Sequence, residues 1–263
     1  MRPLLALIRR EFSAYFLSPI AYAALCVFLL VTGYLIALTL GTPDGKSLHS
    51  LTTVGPSGIE YPMQGLLGDE RFWLVFLFLP PLLTMRLLAE ERGTGTLESL
   101  LTAPIRDWQV VAGKYIACFM FYIVLWLPTL AYIPVLTDFD WHNFRFRIDP
   151  WPVVTSYIGV MFAGAMFLGI GLFVSSLVKS QIVAAMIAMV IGLVFVVTAF
   201  WRPNLEVGSW AYKVINLLSV PDHFRRDFCR GLIDTRHLVL YMTVTAFALF
   251  LTARSLEARR LRA

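Results

Sequence analysis

The chain has 263 residues, 58% of them hydrophobic and only 15% charged, with a mean hydropathy of +0.72. Soluble domains carry about 25% charged residues, and no soluble core could hide this much apolar side chain, so the composition excludes a water-soluble enzyme and predicts an integral membrane protein. The net charge of +5 does not argue for nucleic acid, because the basic residues are scattered around apolar runs and read as topology signals.

At the N-terminus, residues 1–16 predict a helix with Leu4, Leu5, Ile8, Phe12, Tyr15 and Phe16 on one face, and Arg2, Arg9 and Arg10 elsewhere. Such a helix lies in the membrane interface with its arginines among lipid phosphates. Pro19 then breaks it. A bilayer core of about 30 Å needs roughly 20 helical residues, and six segments qualify as spans: 20–40, 72–88, 111–136, 153–178, 182–200 and 238–253. The first apolar run starts too late and is too long for a signal peptide. Pro80 and Pro81 in the second span, with Pro128 and Pro134 in the third, are expected to bend those helices.

Six spans put both ends on one side. With the ends inside, 12 of the 22 Lys and Arg fall in the inner segments, and those of the two chain ends lie closest to their spans. The fold class expected is therefore an all-α integral membrane protein.

Between spans two and three, 89–110 is the longest polar stretch on the inner side. Gly93 and Gly95 loosen the chain, and Thr94 or Thr96 can cap a following turn. Glu98 suits the positive end of the helix dipole. Leu97, Leu100 and Leu101 share one face, and Pro104 stops the helix. This is a docking knob rather than a membrane segment. Spans four and five are joined by only Lys179, Ser180 and Gln181, which predicts a tight antiparallel hairpin. Span four carries Ala165/Gly169 and Gly171/Ser175, small residues four apart that let helices approach closely.

The outer loops offer little chemistry. Residues 41–47 resemble a phosphate loop but have three rather than four residues between the glycines and follow a membrane helix, so nucleotide binding there is rejected. Asp138, Asp140, His142 and Asp149 read as solvated rather than as a metal site, and His49, His223 and His237 stand isolated. Cys26 and Cys118 fall in apolar runs and Cys229 in a late loop, which makes no disulfide framework. The region 201–237 is too polar to span, with helical patches at 207–218 and 221–233.

Glu91-Arg92-x-x-Gly95-Thr96-x-Glu98-x-Leu100-Leu101-x-x-Pro104 resembles the coupling region of ABC-2 type transporter permeases. The resemblance implies that a cytosolic ABC ATPase subunit grips this helix, and that Lys179–Gln181 forms a second, smaller cytosolic contact. It also implies that 1–16 is an amphipathic elbow helix and that short extracytoplasmic helices precede the last span. A second permease copy or homologue and two ATPase subunits complete such an assembly. ATP and Mg²⁺ then sit on the partner, with no cofactor on this chain, in the bacterial inner membrane with both termini cytoplasmic. The runs His223–Arg236 and Leu251–Arg260 resemble the gliding-motility-associated branch, whose permeases work with a membrane-anchored protein bearing a large extracytoplasmic domain.

Two other readings remain at this point. A mechanotransmitting scaffold would use ATP to move the extracytoplasmic partner without cargo. An ATP-independent carrier or channel would line a path with ionisable residues, and the centres of the six spans are almost free of them. For a membrane enzyme there is no paired-carboxylate or nucleophile–base spacing.

Overall fold

The computed structural model describes residues 2–40, 63–95, 107–136, 139–140, 145–146, 150–201 and 209–260. Helix α1 (Arg2–Leu17) leads into α2 (Pro19–Leu40), with a bend of 68° between them. Ser18 breaks the run because Pro19 pushes it out of the α region.

The apolar side of α1 packs on α6 (Asp107–Trp126). Tyr15 stacks on Phe121 at 4.8 Å, and Phe16 meets the same ring edge-on. The buried face is rotated from the expected stripe: Leu7 is buried while Leu5 is exposed. Gly113 of α6 is the reason, since the hollow left by its missing side chain receives Leu7, which a Cβ there would meet at 2.7 Å.

The second span, expected to bend at Pro80 and Pro81, is a broken rod, α3 (Glu70–Phe76) and α4 (Leu79–Thr84), joined by a turn. Asp69 caps α3 by accepting from Arg71 N–H at 2.8 Å. Pro80 and Pro81 fall in the first turn of α4, where a missing N–H has no helical partner to lose. The Thr84 hydroxyl donates back to the Pro80 carbonyl one turn earlier at 2.8 Å. A further helix, α5 (Ala89–Thr94), follows where a loop was expected.

Beyond Trp126 the α6 rod tightens into a 3₁₀ turn (Leu127–Tyr132), with Pro128 at its start, and then α7 (Ile133–Leu136). Strands β1 (Phe139–Asp140) and β2 (Arg145–Phe146) pair antiparallel, Phe139 opposite Phe146. Apart from this two-residue ladder, the regular structure of the described residues is helical, and the all-α fold class holds.

Helix α8 (Trp151–Leu177) is the buried centre, flanked by α9 (Gln181–Trp201) and α12 (Thr235–Arg260). Its glycines set the approach distances. Gly171 leaves room for Thr84 and Gly164 for Tyr122, whereas Gly169 meets α12 at Thr245 in ordinary contact. Helices α10 (Trp210–Leu218) and α11 (Val220–Arg226) and a 3₁₀ turn (Phe228–Arg230) precede α12. The 3₁₀ turn is tied to the start of α8, where the Thr155 hydroxyl donates to the Phe228 carbonyl at 2.6 Å. Since Trp151 also donates to the Gly231 carbonyl and Gly169 lies at Thr245, α8 and α12 run in the same direction.

Among the described residues, four helices are long and apolar enough to cross a membrane, and a fifth crossing results if the bent pair α1–α2 counts as one. The exposed side chains of α9 include Ile182, Met186, Val190 and Val194, an apolar outer face suited to lipid. The chain is a multi-pass membrane protein.

Candidate functional site

Five parts of the chain converge at one end of the molecule around α5. Its first turn carries two carboxylates, Glu90 and Glu91, where they complement the helix dipole. Gly95 closes it in the left-handed region at φ 76°, a conformation that costs glycine nothing. Thr94, considered above as a cap for the next turn, instead donates back to the Glu90 carbonyl at 3.0 Å.

Glu91 faces α6. Lys114 Nζ lies 2.7 Å from Glu91 Oε1 and 3.3 Å from Glu11 Oε1, although the lysine side chain is only 1% exposed. Arg10 of α1 lies 2.6 Å from Glu11 and 3.9 Å from Glu91. The four charges sum to zero, which is the condition under which a buried lysine is tolerated. Arg92 turns the opposite way and donates to the Ser176 carbonyl at 2.8 Å, the last turn of α8. The Ser175 hydroxyl accepts from the Leu88 and Ala89 N–H groups at 3.2 and 3.0 Å, filling the role of an N-cap supplied from another helix. Gly93 lies against the Lys179 carbonyl, leaving only 3.1 Å for a Cβ.

The structure therefore brings Arg92 and Gly93 to the end of α8 and the α8–α9 turn, in which Lys179 and Ser180 are exposed and Gln181 is half-buried, while Glu91 faces α6 and a Cβ on Gly95 would meet nothing within 4 Å. Of the basic anchors, Arg2 is the first residue of α1, Arg9 is exposed, and Arg10 joins the charge cluster. Thr96, Leu97, Glu98, Leu100, Leu101 and Pro104 lie outside the described residues, as do 41–47, Asp138, His142 and Asp149. Glu11, Lys114 and Ser175 were not singled out as site residues in the sequence. The Glu11 position, one turn from Ile8 and Tyr15 on the inward side of α1, was the available signal.

The ends of other helices share this level. Arg260, at the close of α12, lies 3.4 Å from Asp107, which opens α6. What the arrangement offers is mechanical: paired charges and backbone clamps.

The family profile described as ABC-2 family transporter protein matches residues 60–218. The chain belongs to that family. No curated protein matches it. Membership makes this chain a membrane permease component of an ABC transporter and implies an ABC ATPase partner. The matched region contains α5, the α8–α9 turn and the whole of α8, and ends before His223.

At the other end of the permease, His223 and His237 are not isolated. Their rings stack with centroids 3.7 Å apart, because α11 folds back onto the first turn of α12. His223 bonds the Tyr241 hydroxyl through Nδ1 at 2.8 Å and the Asn216 carbonyl through Nε2 at 3.0 Å. A carbonyl only accepts, so Nε2 carries the proton and Nδ1 accepts from Tyr241. Burial, and then the neighbouring His237, push the His223 pKa down to about 4. His237 Nε2 lies 2.9 Å from Asp227. Fourteen residues separate the two histidines in sequence, too far for either helical spacing, which is why the pair escapes a linear reading.

Proposed function

We propose that this chain is the transmembrane subunit through which a separate cytosolic ATPase does work across the bacterial inner membrane. Segment 96–106, with Leu97, Leu100 and Leu101 as the buried grip and Glu98 near its start, docks on that ATPase, and Lys179–Gln181 makes a second contact. ATP and Mg²⁺ bind the partner. The observation that carries the reading is the anchoring of α5, the helix that leads into the docking segment. Glu91 ties it to α6 and α1, while Arg92 and the Ser175 clamp tie it to α8. Displacement of the docking segment therefore reaches α6 and α8 through short, charge-assisted bonds, and α1 through the longer Arg10–Glu91 ion pair.

Six crossings, with both termini cytoplasmic, fit this assignment. The rod α3–α4 runs beside α8, since Trp73 meets Phe224, which lies against Gly159 of α8, in a tilted contact at 4.6 Å, and Thr84 fills the hollow at Gly171 further along α8. The start of α6, the end of α8 and the end of α12 lie at the level of α5. Pairing with a second permease copy completes the membrane unit. The resemblance of His223–Arg236 supports the gliding-type branch and a membrane-anchored partner with a large extracytoplasmic domain, whose movement rather than cargo export is the alternative use of ATP.

The test is co-purification. Replacing Leu100 and Leu101 by Glu should abolish recovery of the ATPase with the tagged permease while membrane insertion is unchanged. Undiminished recovery would sink the docking assignment.

A further inference from the structure

In the crook of the bend between α1 and α2 lies a cavity of about 320 Å³, closed on the far side by α4 and α5. Its size falls within the roughly 300–1,000 Å³ of small-molecule sites. The hollow exists because α2 presents Ala21 and Ala24 to it, residues too short to reach Leu82 and Leu83 opposite. That wall, with Leu87, is apolar. The other wall is charged. There Lys114, Glu91 and Glu11 are occupied with one another and Arg10. Arg86 and Glu90 also pair with each other, at 2.8 and 3.4 Å, and Arg86 reaches the Ser18 hydroxyl at 2.7 Å, but each side chain is 37% exposed and so open to exchange partners with a ligand.

An adjacent cation and anion with no net charge between them offer little to an anionic headgroup. They match a zwitterion laid antiparallel, phosphate on the guanidinium and ammonium on the carboxylate. The apolar wall then receives the first acyl carbons. We propose that this cavity binds the headgroup of a zwitterionic aminophospholipid, with its phosphate on Arg86 and its ammonium on Glu90, seated between the interfacial helix and α5. The site requires only a membrane-embedded chain and stands or falls separately from ATPase docking.

The full-length permease, purified in mild detergent and depleted of lipid, would be incubated with equal amounts of phosphatidylethanolamine and phosphatidylglycerol. Native mass spectrometry then counts the lipid retained. The expected result is at least threefold more phosphatidylethanolamine than phosphatidylglycerol on the wild type. Glu90→Gln leaves the Arg86 cation alone and should reverse the preference. Ala24→Leu fills the apolar wall and should lower retention of both lipids. Equal retention on the wild type, an unreversed preference in Glu90→Gln, or undiminished binding to Ala24→Leu each overturns the proposal. Glu90 is half-exposed, so its variant reads the charge argument even if the filled variant fails to fold.

Discussion

Removing the Lys114 ammonium tests the charge cluster that holds α5. Lys114→Ala leaves Glu91 and Glu11 facing each other at 20% and 12% exposure, with the lysine contacts of 2.7 and 3.3 Å gone. Deleting one partner of a fully buried ion pair costs about 3–5 kcal/mol. Here the carboxylates keep some solvent, and Arg10 already lies 2.6 Å from Glu11, so we expect about 2–3 kcal/mol. At about 2–4 °C per kcal/mol for chains of this size, the apparent Tm should fall by roughly 4–12 °C. Intrinsic tryptophan fluorescence of the detergent-purified permease, scanned at one fixed rate, measures it. A double-mutant cycle with Glu91→Gln and Lys114→Met separates pairing from packing, and the expected coupling is about 1 kcal/mol or more. A Tm for Lys114→Ala within a degree of wild type, or strict additivity in the cycle, would refute the view that these charges hold α5 to α6.

The stacked histidines make an acid-sensitive contribution. With its folded pKa depressed from 6.5 to about 4, His223 stabilises the fold fully above pH 6.5, and that contribution is lost as pH falls toward 4. The loss is on the order of 3 kcal/mol, and His223→Gln should flatten the Tm profile across this window. Along α8, Gly171→Ala drives a Cβ into the Thr84 side chain and should cost about 1–3 kcal/mol. Gly169→Ala, which meets Thr245 at 3.5 Å, should be nearly neutral; equal effects would contradict the packing described. Ser175→Ala strips the acceptor from two buried N–H groups and should lower stability by about 1–3 kcal/mol in the same melt.

Hydropathy and proline positions made much of the helical layout legible. Helices α8 and α9 lie on the apolar runs 153–178 and 182–200, and Pro80, Pro81 and Pro128 sit where continuous helix gives way. Periodicity did not reveal α5, because AEERGT has too few apolar residues to show a stripe and depends on Ser175 of another helix for its N-terminal bonds. The buried face of α1 differs from the expected stripe for a related reason. Leu5 and Leu7 are equally apolar, and only the hollow at Gly113 decides between them. The Lys114 cluster draws on α1, α5 and α6, and the histidine pair on α11 and α12. Such meetings are long-range and leave no local spacing to find.

Helix α8 spans 27 residues, about 40 Å at 1.5 Å per residue. Near one tip it is bolted to α5 through Ser175 and Ser176, and near the other to the Phe228 carbonyl through Thr155. A stiff bar fastened at both tips obeys the rule of a seesaw. If it pivots by about 10° near its middle, each tip swings by roughly 3–4 Å, in opposite senses, so a push on one face of the bilayer arrives as a pull on the other.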